Sequence, residues 1–162
     1  MREHQHGKAE TDGLYTRDFF VSMLEKEIAR SRRYKATLSV FVLGLDNLSD
    51  LSSKYGHRTG DRLIAETGRL LKQHARKADF LCRYDSSRFA AMLTHTAGEE
   101  AHVLCDRIKT LLTGSLVQIE SEPIHIKVSF GVAVLDPESD SDMKGLLSDA
   151  FQALRRAEEQ EA

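Results

Sequence analysis

Tryptophan is absent from this 162-residue chain, and proline and cysteine occur only twice each. Cys82 and Cys105 supply neither a metal-ligand spacing nor a disulfide framework, so reduced core thiols are expected. Nowhere does an apolar run approach the roughly 18 residues that a membrane span requires. The N-terminus has no apolar h-region, which leaves a cytoplasmic address as the expectation. No excess of one charge is present: the formal net charge is −2, which offers no bulk attraction to nucleic acid.

What is present suits one domain with a real core: 41% of residues are hydrophobic and 30% charged. Residues 1–10 are polar and unpatterned and read as a leader or linker stub, with a single domain over 11–160. His4 and His6 in that stretch are incidental rather than a metal site. A helix is expected over Arg17–Arg33, ending in the basic cluster Arg30, Arg32, Arg33 and Lys35, which suits a helix C-terminus. Thr37–Leu45 is β-branched and apolar throughout, the best central strand. A short helix over Asp46–Lys54 follows, then a loop from Tyr55 to Asp61 and a second helix over Asp61–Ala75.

Phe80–Tyr84 and Arg88–Leu93 form a hairpin, Ala97–Leu112 a helix, and Leu116–Glu120 and Ile124–Leu135 strands broken by Ser121-Glu122-Pro123. Asp142–Glu159 closes the chain as an amphipathic helix. This order implies an α+β fold: a ferredoxin-like, palm-type central mixed β-sheet flanked by helices, gathered on one face. The stretch that carries most chemistry is Arg76–Phe89, which joins an Arg-x-x-Asp pair to the hairpin turn Asp85-Ser86-Ser87. Such turns favour Gly, Asn or Asp, and this tip offers hydroxyls, one carboxylate and Arg88 instead.

Several landmarks recur in order: Gly13-Leu14-Tyr15-x-Arg17, Leu45-x-x-Leu48, Tyr55-Gly56-His57-x-x-Gly60-Asp61, Arg76-x-x-Asp79, Cys82-Arg83-Tyr84 and Val128-Ser129-x-Gly131-Val132. As an ordered set from about residue 9 to 157, they resemble a GGDEF domain, the module that condenses two GTP into cyclic di-GMP. That reaction needs metal ions to gather phosphates and neutralise developing charge. The resemblance places the metal carboxylates at Gly44 and Ser87, and neither residue carries one.

By the same resemblance, the signature's paired glycines fall on Asp85 and Ser86 and its next-to-last acid on Arg88. A phosphate-facing Lys falls on Ser49, a guanine-contacting Asn on Ser52, and a late Lys on Glu158. Asp61 matches the other guanine contact, though it also suits a helix N-cap, the preferred reading. Together these losses exceed the roughly 2.7–4 kcal/mol typical of one stabilising group. The expectation is therefore a degenerate domain that is not an enzyme, with no catalytic or metal-binding residue and no magnesium.

The resemblance also implies a product-binding site at Arg76 and Asp79, with Arg107 on the following helix. A guanidinium fork pairs with guanine O6 and N7 or with phosphate, and a carboxylate accepts from guanine N1–H. The plain alternatives are a solvated local pair worth roughly 0.2–0.5 kcal/mol and the polar face of a helix. The expected function is a cyclic di-GMP receptor using Arg76, Asp79 and Arg107. Its expected partners are a protein or a linked sensory or output domain, with a ligand-promoted homodimer. The rival is a nucleotide-independent docking or dimerisation module that keeps only the fold.

Overall fold

A computed structural model describes residues 14–161 of the protein. The leader, its two histidines, Gly13 and the domain boundary at 11 lie outside the described residues. The strands are β1 (Tyr15–Thr16), β2 (Leu38–Leu45), β3 (Phe80–Arg83), β4 (Arg88–Thr94), β5 (Leu116–Ile119), β6 (Glu122–His125) and β7 (Val128–Leu135). The helices are α1 (Arg17–Tyr34), α2 (Leu48–Tyr55), α3 (His57–His74), α4 (Gly98–Thr113) and α5 (Met143–Glu161).

Five strands form one sheet in the order β1-β3-β4-β2-β7, with β1 parallel to β3 and the other pairings antiparallel. Every residue of β2 is buried, because the strand is apolar at both alternating positions rather than one. Phe41, Leu43 and Leu45 join one core with Leu63, Leu71, Leu104 and Ile108, carried by α3 and α4. Leu38, Val40 and Val42 join the other with Phe20, Leu24, Leu147 and Leu154, carried by α1 and α5. The helices therefore cover both faces of the sheet, not one. A strand with two apolar faces demands two covers.

Two local expectations fail for backbone reasons. The loop expected at Tyr55–Asp61 is mostly helix: α3 starts at His57, immediately after Gly56, whose φ of 97° lets the chain turn between two helices. Asp61 thus lies inside α3 and caps nothing, and no side chain caps that end. The break expected at Ser121-Glu122-Pro123 is a tight turn at Glu120 and Ser121, with φ of 50° and 71°. Pro123 sits in β6 of the separate two-stranded β5-β6 sheet, where the lost N–H is tolerated.

At Gly131 a Cβ would lie 2.0 Å from the Ala150 carbonyl oxygen and 2.3 Å from the Leu154 amide nitrogen. Only glycine lets α5 approach β7 that closely.

Candidate functional site

The β3–β4 hairpin has an open end and a tip, and residues singled out from the sequence lie at both. At the open end, the turn that leaves α3 brings Arg76 and Asp79 together. Asp79 accepts from the Arg76 backbone N–H at 3.0 Å, from Nε at 3.3 Å and from Nη2 at 3.1 Å. Its side chain is 1% exposed, whereas that of Arg76 is 44% exposed. Nη2 also donates to the Thr96 hydroxyl at 2.9 Å. Both Nη2 protons and the Nε proton are thus engaged, and Nη1 makes no protein hydrogen bond among the described residues. Arg76 lines a cleft of about 260 Å³ together with Tyr15, Lys72, Lys77 and Leu81.

Arg107 lies exposed on α4 and makes no hydrogen bond or ion pair with Arg76 or Asp79. Thr96 was not legible from the sequence as part of this site. Its link to Arg76 depends on β3 and β4 pairing in register, which returns the chain to the same end after 20 residues.

At the tip, Asp85 builds the turn. Its Oδ1 accepts from the Ser87 N–H at 3.0 Å, and its Oδ2 accepts from Arg88 Nε at 2.8 Å. Burial alone would push the Asp85 carboxyl up, but the Arg88 hydrogen bond, the Ser87 N–H and the Arg88 charge hold it below its ordinary value. Arg88 also lies over Phe151 at 4.6 Å, Phe151 meets Tyr84 at 4.9 Å, and Arg17 covers Tyr84 at 4.3 Å. This ladder of two arginines and two aromatic rings fastens the tip to α1 and α5. Ser86 is exposed.

Gly44 pairs with Arg88 on one side and Ser129 on the other. A Cβ there would meet Glu158 Oε2 at 3.3 Å. Just beyond it, Asp46 accepts from the Ser129 hydroxyl at 2.9 Å. Burial first, and the charge of Glu161 among lesser causes, raise the Asp46 pKa. Burial first, then the charge of Asp46, raise that of Glu158. Ser49 is exposed on α2, while Ser52 packs against Gly60 of α3, where a Cβ would lie 2.3 Å from the serine oxygen. Burial pushes the Cys82 thiol up to about 12 and raises Cys105 as well, so neither is a nucleophile at neutral pH.

No three His, Cys, Asp or Glu side chains among the described residues converge as a metal cage. Magnesium in phosphate chemistry needs only one or two carboxylates, with substrate phosphates and water completing the octahedron. Near the end of β2, Asp46 lies close enough for its charge to raise the Glu158 pKa, and these two carboxylates are the ones that would suit it.

The family described as "Diguanylate cyclase, GGDEF domain" matches residues 10–162. The diguanylate cyclase DgcP of Pseudomonas aeruginosa is 30% identical over 158 residues, covering 96% of this chain and 23% of that protein. Diguanylate cyclase A of Treponema denticola is 28% identical, covering 84% of this chain and 37% of that protein. The chain thus spans about a quarter to a third of the length of these relatives. A crystal structure of the GGDEF domain of DgcB from Caulobacter crescentus, in complex with c-di-GMP, superposes with a TM-score of 0.88 at 22% identity. It covers 95% of this chain and 91% of that one.

These relatives overturn two expectations. A chain that is not an enzyme was expected from Gly44 and Ser87, yet proteins matching most of its length are named cyclases. The expected absence of magnesium falls with it, because the reaction named for these relatives is one that gathers phosphates on metal ions. No helix among the described residues is long and apolar enough to cross a membrane. Fold, ordered landmarks and relatives agree: the chain belongs to the GGDEF domain family.

Proposed function

We propose that this domain binds cyclic di-GMP at the open end of the β3–β4 hairpin, within a protein of diguanylate cyclase type. The observation that carries this reading is the state of Arg76: half-exposed, locked by a buried carboxylate and a buried hydroxyl, and lining a cleft with Lys77. A guanidinium fixed in advance loses little entropy when a ligand arrives. Nη1 suits a phosphate oxygen or guanine O6, and the planar face suits a stacked purine. Asp79 acts by holding Arg76 and reaches a guanine only when their pair opens. Arg107 joins the ligand from α4, and a ligand shared by two copies of the domain draws them into a dimer.

The reaction that accompanies this binding is the one named for the relatives, in which Asp46 and Glu158 would hold magnesium near the end of β2 and the metal would neutralise phosphate charge. Calorimetry with cyclic di-GMP tests the binding: heat from the native domain and none from Arg76→Ala is expected. No heat from either sinks the reading. Incubation with GTP and magnesium tests the reaction separately, through product accumulation above an enzyme-free blank.

A further inference from the structure

Thr96 lies outside every motif singled out from the sequence, yet it is the one side chain beyond the Arg76–Asp79 turn that hydrogen-bonds Arg76 among the described residues. Resting on the binding role proposed above, we infer that Thr96 is a positioning residue that sets the direction in which Arg76 presents Nη1. Its hydroxyl has one proton and gives it to the Thr94 carbonyl at 2.9 Å. Only a lone pair then remains for Arg76, so the hydroxyl can serve the cation as an acceptor. Thr96 itself cannot drift. It is 0% exposed, and its carbonyl accepts from the Ser39 hydroxyl, also 0% exposed, at 2.7 Å.

His95, just before it, takes a φ of 51°, and this left-handed step lies between the bonded residues Thr94 and Thr96. Asp79 and Thr96 therefore grip the same Nη2 from different parts of the chain, one local and one from the end of β4. Asp79 alone holds one edge of the guanidinium, through Nε and Nη2, and leaves it free to rock about that edge. Thr96 adds a third point from another part of the chain and removes that freedom.

The test compares Thr96→Val, which keeps the shape and removes the acceptor, with Thr96→Ser, which keeps the acceptor. In ligand-free protein, side-chain NMR exchange of the Arg76 guanidinium protons should be slow in the native domain, quicken in Thr96→Val and stay slow in Thr96→Ser. Unchanged exchange in Thr96→Val overturns the inference. So does native Arg76 exchange as fast as that of exposed Arg107, which needs no variant at all and holds even if Thr96→Val does not fold. Cyclic di-GMP affinity should fall roughly tenfold in Thr96→Val, the scale of one hydrogen bond to a charged group, and stay near native in Thr96→Ser. Native affinity in Thr96→Val, with binding lost in Arg76→Ala, overturns the role of Thr96 and leaves the binding site standing. No binding by the native domain overturns the binding site, while the exchange rates still decide whether Thr96 fixes Arg76.

Discussion

The β3–β4 hairpin carries an Arg–Asp pair at each end, and the same i,i+3 spacing produces different objects. The arginines are alike in exposure, 44% for Arg76 and 40% for Arg88, but the carboxylates are not: Asp79 is 1% exposed and Asp85 28%. At the open end the acid is shut away and the base is presented. At the tip the acid shapes the turn and the base lies against Phe151, so both members serve the structure. Spacing in sequence makes a pair; what surrounds it decides whether the pair is a tool or a fastening.

The largest effect that separates the two ends is on ligand affinity. Arg76→Ala should weaken cyclic di-GMP binding by about 100-fold, within the range for removing one partner of a buried charged contact. Arg88→Ala should leave it within about twofold. Comparable losses on calorimetry would erase the distinction. Stability should divide the pairs next, in urea unfolding. Arg76→Ala leaves the Asp79 carboxylate enclosed with fewer donors and should cost about 1–3 kcal/mol. Arg88→Ala leaves Asp85 partly in water and should cost less than about 1 kcal/mol.

Acid titration sharpens the tip alone. The folded-state pKa of Asp85 is depressed, so its contribution is present above its unfolded value near about 3.9 and disappears as pH falls through the folded value. Arg88→Ala should remove much of that acid-labile contribution. The smallest effect belongs to the carboxylates at the end of β2. Glu158 has a raised pKa, so its ionisation opposes folding as pH rises through that raised value. Glu158→Gln should therefore raise the melting temperature slightly at neutral pH, with the advantage vanishing below about pH 4. A lower melting temperature at neutral pH would show that its charge is stabilising instead.

Most elements were legible in the sequence because their apolar spacing is strong. β2 reads as a central strand from its uninterrupted run, and α5 from Leu146, Leu147, Ala150 and Leu154. The start of α3 was not, because Gly56 provides no side-chain cap and the expected cap, Asp61, falls inside the helix. The Glu120–Ser121 turn was hidden because neither residue type advertises a positive φ. Arg76 with Asp79 was readable as a local pattern. Thr96, and the meeting of Asp46 with Glu158, come from strand register and helix docking and leave no trace in spacing.

The Arg76–Thr96 hydrogen bond joins residues 20 positions apart and spans the whole hairpin, from before β3 to after β4. It closes a loop of chain at the end where a hairpin would otherwise be free to fray. Local opening of these two strands from that end must then break this closure as well as the strand ladder. Amide hydrogen exchange at Phe80 and Met92, the paired residues nearest that closure, should accordingly quicken in Thr96→Val.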